Sequence, residues 1–229
     1  MFASLFVSGV VAAELRTPGD ASLLLPEEAE SVAHAVPKRI QEFAAGRLCA
    51  RRALAEFGVT DFPVRMARDR QPLWPELLVG SIAHTTGLCA AVVAERTRVL
   101  ALGVDTEVAG AAKADLWPTI CDPAERAWLD TLQPAERAAA VTLIFSAKEA
   151  FYKCQYPLAG EWLNFHDLRV TPLDWGASQG AFDVMPTRSI ALSKHAAASV
   201  RGSYRFHEGF VSAGVCLPAQ PAASARLNP

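Results

Sequence analysis

Cysteine is scarce in this chain of 229 residues: Cys49, Cys89, Cys121, Cys154 and Cys216 stand far apart, odd in number and with no C-x-x-C. That argues against a disulfide framework and a zinc knuckle, and for small buried thiols in a reducing compartment. Charge of one sign is lacking as well. Lys and Arg total 22 and Asp and Glu 24, a formal charge of −2, so the chain does not read as a nucleic-acid binder. No lysine or arginine precedes Arg16, so the apolar opening stretch Met1–Ala13 lacks the basic flank of a secretory signal. It is also too short to span a bilayer, and a buried first strand over residues 2–12 of a cytoplasmic protein without a membrane span is expected. No internal repeat is present. What the chain does have is apolar residues, 51% against 20% charged, which excludes disorder as the overall state. At this length one or two compact units with a sizeable core are expected.

The patterning alternates between elements. Pro26-Glu27-Glu28 reads as a helix start, proline first and acids in the first turn. From Lys38 to Phe57, apolar residues at Ile40, Phe43, Ala44, Leu48, Ala50, Leu54 and Phe57 form one helix face, which Gly58 stops. Its other positions carry Lys38, Arg39, Arg47, Arg51 and Arg52. Residues 61–75 read as a loop broken by Pro63, Pro72 and Pro75. Leu77–Ala83, Leu88–Glu95 and Val99–Glu107 read as strands, Ala124–Leu132 and Pro134–Gln155 as helices, and Trp162–Leu217 as several further strands. Composition shifts to small residues near Val108. This divides the chain into an N-terminal part, 1–107, and a C-terminal part, 108–217, followed by a flexible tail over 218–229.

Three short stretches carry candidate chemistry. Gly103-Val104-Asp105-Thr106-Glu107 ends an apolar strand, and alternation along a strand points Asp105 and Glu107 to one side. Two carboxylates that close suit a hard divalent cation such as Mg²⁺, or are a solvated strand end. Phe145-Ser146-Ala147-Lys148-Glu149-Ala150-Phe151-Tyr152-Lys153 lies on the long helix. Glu149 and Lys153 are either a surface pair at i, i+4 or a third metal ligand beside phosphate-binding lysines. Gly80-Ser81-Ile82-Ala83-His84 ends a strand in a turn rich in hydroxyls, where His84 donates to a phosphate or is a satisfied structural residue. Upstream, Arg65, Arg68 and Arg70 precede Gln71-Pro72-Leu73-Trp74-Pro75, a rigid loop suited to phosphate or adenine contact and equally to solvation.

Taken in order, the arginine-bearing helix, Arg70-Gln71-Pro72-Leu73-Trp74-Pro75, Gly80–His84, Gly103–Glu107 and Phe145–Lys153 resemble the 4'-phosphopantetheinyl transferase superfamily. The resemblance is closest to its two-lobed branch that activates surfactin and enterobactin synthetases, and it covers about residues 38–155. It implies an α+β fold of two similar lobes related by a pseudo-twofold, with the active site in the cleft between them, in a monomer. The implied reaction moves 4'-phosphopantetheine from coenzyme A to a serine of an apo acyl or peptidyl carrier protein, with Mg²⁺ as cofactor and 3',5'-ADP released. By motif match, Asp105, Glu107 and Glu149 bind Mg²⁺, and Lys148 and Lys153 contact phosphates or the reacting centre. Arg47, Arg70 and His84 serve the nucleotide end of coenzyme A, and Glu149 is the candidate base. Three positions depart from the family pattern: Phe145 replaces tryptophan, Ala83 replaces the middle serine before His84, and Gln71 stands before Pro72. The competing readings are a Mg²⁺-dependent phosphohydrolase acting through the same carboxylates and a non-catalytic homologue that binds coenzyme A or its carrier.

Overall fold

The computed structural model describes residues 1–16, 18–194 and 199–219. The tail expected over 218–229 lies outside the described residues from 220 onward. Among the described residues, no helix is long and apolar enough to cross a membrane.

The fold is α+β. Strands β1 (Val11–Leu15), β2 (Leu78–Thr85) and β3 (Leu88–Glu95) form an antiparallel sheet in the order β1-β3-β2. Strands β4 (Val99–Val108), β5 (Leu168–Pro172), β6 (Gln179–Pro186), β7 (Val200–His207) and β8 (Phe210–Pro218) form a second, in the order β4-β8-β7-β6-β5. The helices are α1 (Pro26–Ala29), α2 (Pro37–Ala55), α3 (Trp117–Ile120), α4 (Pro123–Thr131) and α5 (Pro134–Ala159). Each sheet is covered by one long helix, α2 on the first and α5 on the second.

The central strand of the first sheet, β3, is Leu-Cys-Ala-Ala-Val-Val-Ala-Glu, buried at every position except Glu95. An antiparallel strand buried on both faces loses the polar alternation of a half-exposed one. Cys89, Ala91 and Val93 meet Cys49, Ala50, Ala53 and Leu54 of α2, while Ala90, Val92 and Ala94 meet Phe2, Leu5 and Val10 on the opposite face. The opening stretch is therefore not one strand over 2–12. Phe2–Leu5 is a 3-10 turn that places Phe2 and Leu5 in the core, Gly9 reverses the chain at φ +94°, and only Val11–Leu15 joins the sheet.

The division between sheets also differs from the sequence expectation. β4 pairs with β8 from Val99 to Val108, so the strand carrying Asp105 and Glu107 belongs to the second sheet, and the break falls between β3 and β4 rather than at residues 107/108. The two sheets stay in touch through Ser81 of β2, whose Oγ accepts the Val104 amide at 3.1 Å.

β4 reaches α5 because Gly103 has no side chain. A Cβ there would stand 1.9 Å from the Ala150 carbonyl oxygen and 2.6 Å from the Cys154 amide nitrogen. This close approach brings residues two along β4 and three along α5 from the contact, Asp105 and Lys153, within reach of one another. The helix runs past the expected Gln155, through Pro157, and stops at Gly160 in the left-handed region at φ +61°.

Candidate active site

Asp105 is only 4% exposed. Its Oδ1 accepts from Lys153 Nζ at 2.7 Å, and the same ammonium lies 3.3 Å from the Val104 carbonyl. Oδ2 is buried and has no partner among the described residues. Glu107, on the same side of β4, accepts from Thr85 Oγ1 at 3.1 Å, and burial together with the Asp105 charge pushes its carboxyl up to about 7. Thr106 turns to the opposite face and shares a 2.8 Å hydrogen bond with Ser212. Across from the strand, the half-buried Glu149 is raised by burial and by Asp105, with Lys153 opposing. Burial works against the Lys153 charge, but Asp105, Glu149 and Glu107 outweigh it and its pKa goes up. The alternative of a surface pair between Glu149 and Lys153 therefore does not hold. The lysine leaves the helix surface and crosses to Asp105.

The carboxylates are hard oxygen donors, the Asp105 charge raises the pKa of both Glu107 and Glu149, and Oδ2 of Asp105 has been desolvated without a donor. Both observations fit a divalent cation. In the present side-chain arrangement, no group of three His, Cys, Asp or Glu among the described residues converges closely enough to hold a metal ion.

Lys148 requires a correction. Sequence adjacency to Glu149 suggests a shared site, but consecutive helix residues point about 100° apart. Lys148 is 1% exposed, and its ammonium donates to Glu125 at 2.7 Å, to the Ile120 carbonyl at 2.8 Å and to the Phe165 carbonyl at 2.9 Å. All three donors are used, so none is left for a phosphate. Glu125 is a residue the sequence reading missed. Its carboxylate also accepts the Asp122 and Val170 amides, each at 2.7 Å. The signal for it was present: Asp122-Pro123-Ala124-Glu125 is a capping box at the start of α4.

The segment after α5 was also missed. A groove of about 600 Å³ opens beside Glu149 and Tyr152 and runs along Trp162, Asn164, Phe165 and His166. Trp162 is 70% exposed and meets Tyr152 edge-on at 5.5 Å, while Tyr152 stacks on Tyr156 at 5.2 Å. This gives the groove an aromatic wall next to the carboxylates.

The basic residues flank the other side. His84 ends β2, exposed, with Nε2 3.1 Å from Arg39 Nη1; desolvation by its surroundings and the Arg39 charge hold it below the ordinary imidazole value. With Lys38, Gln41 and Glu42 it lines a smaller cavity of about 190 Å³. Arg47 is not on a solvated face. It is 6% exposed, donates from Nε to the Val64 carbonyl at 2.6 Å and lies 3.8 Å above the Phe43 ring, and burial pulls its pKa down to about 10. An arginine stem packs like an apolar one, and here the Phe43 ring one turn away on α2 covers the guanidinium. Arg70 sits at the tip of the turn closed by the Met66–Pro72 bridge, exposed and at φ +72°. No contact brings its side chain to the carboxylates.

Two family models match the chain: the 4'-phosphopantetheinyl transferase N-terminal domain over residues 27–94 and the 4'-phosphopantetheinyl transferase superfamily over residues 101–205. The gap between them coincides with the β3–β4 turn, where the two sheets divide. Among curated relatives, the chain is 43% identical over 149 residues to the 4'-phosphopantetheinyl transferase Svp of Streptomyces mobaraensis, covering 64% of this chain and 60% of that one. It is 39% identical over 151 residues to PptT of Mycobacterium tuberculosis, covering 64% of each, and 34% identical over 171 residues to Npt of Nocardia iowensis, covering 75% of this chain and 76% of that one. The match thus spans less than two thirds of the length of the first two relatives.

Proposed function

The chain belongs to the 4'-phosphopantetheinyl transferase superfamily, and from that membership we propose that it moves 4'-phosphopantetheine from coenzyme A to a serine hydroxyl of an apo acyl or peptidyl carrier protein, releasing 3',5'-ADP. The observation that carries this reading is the gathering of Asp105 and Glu107 from β4 with Glu149 and Lys153 from α5, Glu149 also lining the aromatic groove. Asp105, Glu107 and Glu149 would hold Mg²⁺, which when bound supplies charge neutralisation at the pyrophosphate. Lys153, held between Asp105 and the Val104 carbonyl, stabilises negative charge on the oxygens around the transferred phosphorus. Glu149, whose carboxyl burial raises and so makes a better proton acceptor than an ordinary carboxylate, takes the proton from the attacking serine. The groove from Tyr152 to His166 receives the uncharged pantetheine arm. His84, Arg39 and Lys38 face the phosphates of the nucleotide end, with Arg70 at the edge of that region. Arg47 supports it indirectly by holding the Val64 backbone. Lys148 serves as a positioning residue that fixes α3, α4 and the groove wall to α5.

The direct test is to incubate the protein with coenzyme A, Mg²⁺ and a panel of apo carrier proteins and to weigh the products. A carrier heavier by one phosphopantetheine, with 3',5'-ADP formed only when that carrier is present, is the expected result. Release of nucleotide without any carrier would instead establish a phosphohydrolase.

Lys153→Ala separates a catalytic lysine from a structural one. Turnover should fall by about 10²-fold, as for other preorganised electrostatic donors, while the coenzyme A dissociation constant changes little. Steady-state kinetics beside equilibrium binding measures both. Near-normal turnover would remove Lys153 from the reaction.

A further inference from the structure

The groove wall from Trp162 to His166 is an irregular segment between α5 and β5, with no strand or α-helical ladder to fix its shape. It depends on what holds its ends, and an acid stands at each end, Glu161 before it and Asp167 after it. One side chain grips both. Arg188, just beyond β6, donates from Nη1 to Glu161 Oε1 at 2.7 Å. It also takes Asp167 side-on, with Nε 3.0 Å from Oδ1 and Nη2 3.1 Å from Oδ2.

The acids are anchored in turn. Glu161 Oε2 accepts the Ala191 amide at 2.6 Å, and Asp167 Oδ2 accepts the Asn164 amide at 2.9 Å, closing the 3-10 turn Phe165–Asp167. Beside Arg188, Thr187 donates its amide to the Asp167 carbonyl at 2.9 Å and its hydroxyl to the His166 carbonyl at 2.7 Å. These bonds hold both carboxyls below the usual carboxylate range and the guanidinium above its own, so the network stays charged through neutral pH. A planar fork with five donors is needed to span two acids. An ammonium is a point charge and satisfies one geometry at a time.

We infer that Arg188 is a positioning residue for the pantetheine arm: by stapling Glu161 to Asp167 it sets the form of the groove wall Trp162–His166, although it touches no part of the ligand. The inference rests on the transferase reading above. Exposed ion pairs contribute little to global stability, so the effect of losing this one is local to the wall.

The test compares two ligands by calorimetric titration in Mg²⁺, coenzyme A and 3',5'-ADP. The second lacks the arm and does not enter the groove. In Arg188→Ala, the dissociation constant for coenzyme A should rise by about fivefold, while that for 3',5'-ADP and the thermal midpoint stay close to the parent's. Arg188→Lys should restore part of the loss. Glu161→Gln should reproduce the pattern in weaker form and add little on top of Arg188→Ala, because both act through one network. If Arg188→Ala fails to fold, Glu161→Gln decides alone. Unchanged coenzyme A binding in these variants, or an equal loss for both ligands, overturns the inference. A parent protein that binds neither ligand overturns the transferase reading itself, and the inference with it.

Discussion

Asp105→Asn should lower transfer by about 10³-fold or more at saturating Mg²⁺, equivalent to about 4 kcal/mol of transition-state stabilisation. The substitution keeps the side-chain volume and leaves an amide oxygen to accept from Lys153, so the β4–α5 contact at Gly103 survives and the thermal midpoint should move by only a few degrees. What is lost is one negative charge, and with it the oxygen that is now buried without a donor. Two readouts accompany turnover. Thermal stabilisation by Mg²⁺ alone, measured without coenzyme A, should shrink. The Glu107 carboxyl, pushed up to about 7 partly by the Asp105 charge, should titrate lower once that charge is gone, as carbon-detected NMR of the carboxylates would show. Turnover within a few-fold of the parent would remove Asp105 from the metal site.

Lys148→Ala should have its main effect on folding. The ammonium and the Glu125 carboxylate are each about 1% exposed and 2.7 Å apart. Removing one member of a buried, hydrogen-bonded pair leaves the other charge without compensation, which typically costs about 3–5 kcal/mol. Two backbone carbonyls, of Ile120 and Phe165, lose their donor at the same time. Urea denaturation should show a large drop in midpoint, and activity lost at ordinary temperature should return in part on cooling or with a stabilising osmolyte. Lys148→Met combined with Glu125→Gln should recover part of the stability, because no buried charge is left unpaired. The methionine fills the stem's volume, and the single amide oxygen keeps one of the two backbone amides, Asp122 or Val170, that the carboxylate accepted on separate oxygens. A Lys148→Ala protein that is fully stable yet inactive would return this lysine to direct phosphate contact.

These two outcomes bear on how far each residue was legible before folding. Asp105 and Glu107 were readable as a pair because the two-residue repeat of a strand is local. Glu149 was placed beside them by family motif, and the helix does carry it to the same region. Lys148 was misread because motif adjacency suggests a shared site, whereas on a helix the next residue faces elsewhere. Its partner Glu125 lies 23 positions away. Arg47 was misread for a related reason. A charged residue on a helix is expected in water, yet Arg47 is buried and its charge is met by the Val64 carbonyl, 17 positions away, and by the Phe43 ring.

The amino-acid sequence on its own determined the local elements: α2 and α5 within a few residues, β2 to β4 nearly to their ends, the spacing that aligns two carboxylates, and the motif order that identifies the family. Each of these depends on side-chain periodicity or on turn and capping chemistry over a handful of positions. Tertiary structure alone decided that β4 joins β8 rather than β2's sheet, since those hydrogen bonds link residues more than a hundred positions apart. It alone placed Lys153 on Asp105, because that contact depends on a glycine letting a strand touch a helix. It also built the groove wall from an irregular segment whose shape comes from Arg188, Lys148 and their distant acids. Such a segment has no period to read, and the forces that hold it arrive from elsewhere in the chain.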